Sequence, residues 1–236
     1  HCDAMEKIPF PSFWGECYKI CTYDEEKTRK HFFEAKEAFK GKIRLLYGIE
    51  LGEPQLNRQP FAEFTARQSF DIILGSSHVL SGDIDLCMLD YTVVRPQDII
   101  AHYLSDIFNM VRLGGFDVLA HIEYPLRYLP NTFGFESTLM PFREQIREIL
   151  KLCAGKGIAL EINGYGARKS QKSLTLESFI IKDYLELGGE YLTYGSDAHA
   201  ASHLLAGKDE ALELARACGA RYFAYFENRK AVPIKI

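Results

Sequence analysis

No apolar run in the 236 residues reaches the roughly 18 needed to cross a bilayer. The opening stretch, HCDAMEKIPF, has neither the basic start nor the apolar core of a secretory leader. Both absences lead to the expectation of a soluble, cytoplasmic protein. Blocks of like charge are missing too: 28 Lys and Arg and 32 Asp and Glu are spread along the chain, for a formal charge of −4. That leaves no electrostatic footprint for nucleic acid or an anionic membrane, and a small-molecule partner is expected instead. Cysteine is sparse, at positions 2, 17, 21, 87, 153 and 218, too scattered for a disulfide framework. Cys17 and Cys21 form a C-x3-C pair, but no second Cys or His pair stands at zinc-knuckle spacing, so reduced thiols are expected. Neither a G-x-S-x-G elbow nor a phosphate-cradling P-loop occurs, which removes acyl transfer and nucleoside triphosphate hydrolysis from consideration. With no internal repeat, low-complexity tract or linker, one domain over residues 1–236 is expected.

What is present is an alternation. Apolar runs of four to seven residues (43–49, 71–74, 116–120, 158–162, 191–194 and 222–226) are separated by segments of helical period. In one such segment Ile100, Tyr103, Leu104, Ile107 and Phe108 share a face. In another, Phe142, Ile146, Ile149, Leu150 and Cys153 do. Gly155 and Gly157 stand as stops after the second, and Gly188 and Gly189 after a helix through Phe179 to Leu187. Strand, helix, strand in repetition predicts an α/β fold with a parallel sheet, in the manner of a β/α barrel.

The residues at the strand ends carry the chemistry. In chain order they read GIE to Glu50, GSSH to His78, AH to His121, EIN to Asn163, and GSDAH through Asp197 to His199. In a β/α barrel all carboxyl ends of the strands open on one face, so these distant residues are brought together there. Three imidazoles and two carboxylates form a mixed N/O set suited to zinc, manganese or iron, and too rich in nitrogen for calcium or a simple magnesium site. Asp197 and His199, two apart, would point the same way from an extended backbone. A lone strand-end His is more often a packed side chain; it is the joint placement of three that points to metal. His102 shares a helical face with Asp98, Ser105, Asp106 and Asn109, read as solvated, and His31 lies in a charged helix. His203 has two readings, contact with substrate or metal ligand, and a cap or surface position. Arg168, on the loop after a strand, offers a planar fork that matches phosphate oxygens, against the alternative of a solvated surface position. Arg127, in YPLRY, is a second candidate for that task or a packed loop residue.

The series GIELGEP, GSSH, FDVLAHIEYPLRY, LEINGYGARK, GGEYLTYGSDAH and YFENRKAVPIKI resembles the PHP (polymerase and histidinol phosphatase) superfamily, in its histidinol-phosphatase branch, from about residue 40 onward. The resemblance implies a distorted seven-stranded β/α barrel with a site for two or three divalent ions (zinc, manganese or iron) that hydrolyses a small phosphate monoester. It implies Glu50 as a bridging carboxylate, and His78, His121, Asp197 and His199 as metal ligands. From the chemistry of such a site, Asp197 or His199 is the candidate to assist proton transfer. Arg168 then matches a phosphate-holding position. The family's chains open on an H-x-H strand, and no H-x-H occurs here. His1 aligns with the histidine that ends the family's second strand, which would make it a further metal ligand; it could instead be a purification-tag remnant. The expectation is therefore a barrel lacking its first strands, and a noncatalytic metal-binding or scaffold protein stays open as the alternative.

Overall fold

A computed structural model describes residues 2–3, 24–80, 84–91, 93–128, 138–168 and 176–236. His1, Cys17 and Cys21 lie outside the described residues. The strands are β1 (Cys2–Asp3), β2 (Gly48–Gly52), β3 (Ile72–Ser76), β4 (Val79–Leu80), β5 (Ile84–Asp85), β6 (Val118–Leu119), β7 (Ala159–Asn163), β8 (Leu192–Gly195), β9 (Tyr222–Glu227) and β10 (Lys230–Lys235). Among them stand the helices α1 (Glu25–Ala38), α2 (Arg58–Arg67), α3 (Pro96–Leu113), α4 (Arg143–Lys156), α5 (Ser178–Glu186) and α6 (Lys208–Ala217).

The main sheet runs β1-β2-β3-β6-β7-β8-β9-β10, and β4 and β5 form a separate antiparallel hairpin. Neighbours from β1 to β9 are all parallel, and β10 returns antiparallel along β9. Each parallel strand is thus laid beside its predecessor after a helical crossover, the winding of a β/α barrel. Seven strands run parallel among the described residues, as the resemblance implied, although the apolar runs signalled only six. Cys2–Asp3, paired with Leu51 and Gly52, is the seventh.

The helices form where the apolar spacing places them. On α3, Ile100, Tyr103, Leu104 and Ile107 are fully buried, Pro96 occupies the first turn, and Gly114 ends the helix at φ 71°. On α4, Ile146, Ile149, Leu150 and Cys153 are buried, and Gly157 closes the helix in the left-handed conformation. Gly155 is not a stop; it lies inside α4, with open space around it. The core joins these faces to Ile49, Leu51, Ile73, Leu119, Leu160, Ile162 and Leu192 from the strands. The first apolar run is displaced from its strand: β2 spans Gly48–Gly52, and Tyr47 is held by the Asp71 carboxylate on its N–H (2.8 Å) and packed on Phe32 and Phe70. β6 is only two residues long because the Asp117 side chain replaces a ladder bond, accepting the Ile73 N–H at 2.8 Å while bound by Arg229.

Cys153 is buried, and Cys87 and Cys218 are half-buried; all three are free thiols. His31 is exposed, and His102 is half-exposed with Nε2 3.7 Å from Asp106 Oδ2. Asp106 itself is buried, so that helical face is less solvated than its composition suggests. No helix among the described residues is long and apolar enough to cross a membrane.

Candidate metal centre and phosphate pocket

At the carboxyl ends of the parallel strands lies a cavity of about 510 Å³, lined by Glu50 of β2 and by residues from four strand-to-helix connections. Glu50 reaches it from within β2, His78 from two residues past β3, His121 from two residues past β6, and Asp197 and His199 from beyond β8. The register aligns these ends: Glu50 lies opposite Leu74, Gly75 opposite Leu119, and Asn163 opposite Gly195.

Glu50, His78 and His121 converge. Their ligand atoms all lie within 4.8 Å of one another. His78 Nε2 and His121 Nε2 stand 3.3 and 3.2 Å from the same oxygen, Glu50 Oε1. A tetrahedral ion with bonds of about 2.1 Å sets its ligand atoms about 3.4 Å apart, so these separations fit a divalent cation of the zinc class. The two rings are buried, and Glu50 is the most open of the three. Behind them sits a supporting layer. Glu53, fully buried, accepts the N–H groups of His78 and, at 3.2 Å, Val79. Glu161 accepts the His121 N–H at 2.9 Å and the Asn163 amide at 3.1 Å. Burial pushes the Glu161 carboxyl up, against the His121 charge and its N–H.

Asp197 and His199 line the same cavity as a second pair, Asp197 Oδ1 to His199 Nε2 at 3.2 Å. They do not reach each other from an extended backbone: Asp197 sits at φ 49°, in the left-handed region. Asp197 Oδ2 is engaged by Arg127 at 3.0 Å and lies 3.5 Å from the Asn163 amide. Asn163 Oδ1 in turn accepts from Arg127 at 3.2 Å and from the Tyr165 N–H at 2.8 Å. His203 lines the cavity with a buried Nδ1 that finds no hydrogen-bond partner among the described residues.

Both arginines face this cavity, in different ways. Arg168 donates to the carbonyls of Ser196 and, at 2.9 Å, Asp197, clasping the loop that carries the second pair. Arg127 is nearly buried between two rings, 4.1 Å from the Tyr165 centroid and 5.0 Å from that of Tyr124. Arg168 covers Tyr165 at 5.0 Å, so guanidinium and phenol alternate along one wall.

Of the six residues expected to hold metal, three converge on one point, two form an adjacent pair, and His1 is outside the described residues. The tyrosine wall, Asp85, Cys87 and the Glu161–Asn163 support went unassigned in the sequence reading. EIN at a strand end was the signal for the last; the others lie on turns with no period to betray them.

A strand-ordered β/α barrel with a histidine and carboxylate cluster at its carboxyl face defines a metal-dependent hydrolase class, and one family model matches. Residues 18–164 match the PHP domain, and the chain belongs to that family. Among curated relatives, the histidinol-phosphatase of Lactococcus lactis subsp. lactis is 28% identical over 197 residues, 81% of this chain and 71% of its own. A protein of Clostridium acetobutylicum named "Probable histidinol-phosphatase" is 29% identical over 206 residues, 85% of this chain and 77% of its own. The crystal structure of the Lactococcus histidinol phosphate phosphatase, complexed with zinc, L-histidinol and phosphate, superposes with a TM-score of 0.80 at 24% identity. The match covers 89% of this chain and 80% of that one, and shares the fold.

Proposed function

We propose that this chain is a metal-dependent phosphomonoesterase whose substrate is histidinol phosphate. The observation that carries the reading is the triad of Glu50, His78 and His121, within 4.8 Å, in one cavity with Arg127 and Arg168. A zinc, manganese or iron ion held there would polarise the phosphoryl group and acidify a water for in-line attack. Glu50, His78 and His121 form the first ion's donor set in this reading. Asp197, His199 and His1 serve a second and third ion in the same reading, and Asp197 or His199 assists proton transfer to the leaving alkoxide. Arg127 and Arg168 orient the phosphate, Arg168 while holding the Asp197 loop, and His203 faces the substrate from the cavity wall. The unit is one PHP-type domain, acting in the cytoplasm on a small soluble ester.

The names of the Clostridium and Lactococcus relatives support the substrate, and the fold shared with the Lactococcus enzyme supports the scaffold. The test is metal analysis of the purified protein together with phosphate release from histidinol phosphate. Stoichiometric metal and turnover that both disappear in His121→Ala are expected. A metal-replete preparation that releases no phosphate would remove the catalytic reading in favour of a metal-binding scaffold.

A further inference from the structure

Two carboxylates stand three residues apart at the end of β2, and the reaction as described uses only the first. Glu50 faces the cavity, whereas Glu53, one residue past the strand, is fully buried. Glu53 adopts φ 48°, in the left-handed region that a non-glycine residue seldom occupies. Its N–H donates to the Ser76 carbonyl at 2.9 Å, and its carbonyl accepts the Leu56 N–H at 3.0 Å, so the backbone is fixed on both sides. A buried carboxylate is costly unless it is paired and hydrogen-bonded. Here one oxygen, Oε1, accepts the main-chain N–H groups of His78 and, at 3.2 Å, Val79.

The same Oε1 stands 3.7 Å from Nδ1 of the His78 ring, while Nε2 of that ring stands 3.3 Å from Glu50 Oε1. One buried imidazole thus lies between two carboxylates of one short segment, with the Tyr124 ring against it edge to face at 4.7 Å. His121 is placed differently. Its Nε2 faces Glu50 in the same way, but its Nδ1 is buried with no hydrogen-bond partner among the described residues, and Glu161 takes its main-chain N–H instead. The two imidazoles of the triad are therefore unequal: one has a carboxylate behind the ring, the other has it behind the backbone.

We propose that Glu53 is a positioning residue: it takes the Nδ1–H of His78 and so holds the ring with the Nε2 lone pair on the ion shared with Glu50 and His121. This rests on the metal-dependent reading above and names the group that aims one of its donors. A neutral imidazole carries one N–H and one lone pair, and an ionised carboxylate can only accept, so the nitrogen turned to Glu53 keeps the proton. Glu50 does not compete for that task, because its carboxylate is itself a ligand of the ion. A cation on Nε2 makes the Nδ1–H a stronger donor, which closes the 3.7 Å separation to hydrogen-bond length. Groups that orient a ligating histidine in this way are worth about tenfold or more in metal affinity.

The experiment compares the full chain with Glu53→Gln, which keeps an oxygen for the two main-chain N–H groups and removes the charge. Zinc affinity is read by competition with a chromophoric chelator, and the imidazole Nδ1–H protons of the zinc-loaded proteins by nitrogen-edited NMR, the His78 signal being the one missing from His78→Ala. Zinc should bind Glu53→Gln about tenfold or more weakly. The His78 Nδ1–H should lose its downfield position and its protection from solvent exchange, while that of His121 keeps its own. An affinity equal to that of the parent, or a His78 proton that shifts no more than that of His121, overturns the proposal. Where Glu53→Gln does not fold, as melting of the metal-free protein shows, Glu53→Asp, which keeps the charge and withdraws it from the ring, is held to the same outcomes. If the unaltered chain holds no zinc, the metal reading fails separately and the metal-free proteins decide alone: a His78 Nδ1–H that exchanges equally fast in parent and variant overturns the proposal.

Discussion

Glu161 shows how much of the site depends on side chains that would never touch a substrate. Its carboxylate holds the backbone of His121 and the amide of Asn163, and it lies so close to β8 that a Cβ on Gly195 would overlap it. Gly195→Ala should therefore displace Glu161, lower stability by about 1–3 kcal/mol as overpacking does, and weaken metal retention, read by melting and by metal analysis. Arg127 combines such a supporting task with a place on the cavity wall. It bridges Asp197 and Asn163 and is stacked between Tyr124 and Tyr165, so a lysine there keeps the charge and loses both the fork and the stacking. Arg127→Lys should reduce kcat/KM for the phosphate ester by about tenfold or more. Unchanged kinetics would assign Arg127 to packing alone. In the sequence Arg127 was the weaker of the two arginines, because nothing in YPLRY shows that an arginine will be sandwiched by a tyrosine 38 residues further on. The histidines were legible for the opposite reason: a strand's carboxyl end is a position that the chain's own periodicity marks, and a barrel gathers such positions.

At the scale of elements, α4 and α5 are joined by charge as well as by their apolar faces. Asp183 is buried on α5 and accepts from Arg143 at 2.7 Å through both oxygens and from Arg147 at 2.7 Å, while Arg147 also reaches Glu186. The Arg143 hydrogen bonds hold the Asp183 carboxyl below its ordinary range. A group depressed in the folded state stabilises it fully above the unfolded pKa of about 4, and that stabilisation is lost as pH falls through the lower, folded value. Asp183→Asn should thus cost about 2–3 kcal/mol near neutrality, at or below the lower end of the range for breaking a fully buried pair, because both arginines retain some solvent. The gap between variant and parent should shrink below about pH 4, as paired thermal melts would show. The apolar spacing made α3 and α4 legible, yet it misplaced β2 and passed over β10. The run before β2 is apolar because Tyr47 packs on Phe32 and Phe70, not because it pairs. β10 carries Pro233 and charged ends, and it forms because its position on the sheet edge spares a proline the loss of a ladder bond.

For the whole molecule, metal binding and folding draw on the same geometry. The three donors come from β2, the loop after β3 and the loop after β6, so they are close only when those strands are paired in register. An unfolded chain spreads the same groups over 72 positions, from Glu50 to His121, and binds the ion poorly. An ion that prefers the folded state adds about 2.7 kcal/mol at a free concentration one hundred times its Kd. In a chain of this size each kcal/mol moves Tm by about 2–4 °C, so chelation should lower the melting temperature by about 5–10 °C and readdition of zinc or manganese should restore it. In His78→Ala, which takes one donor from the triad, the shift on chelation should shrink markedly, whereas a comparable change at exposed His31 should leave it intact. The contrast separates a site assembled by the barrel from metal picked up at the surface, since surface histidines would yield the same shift in both variants.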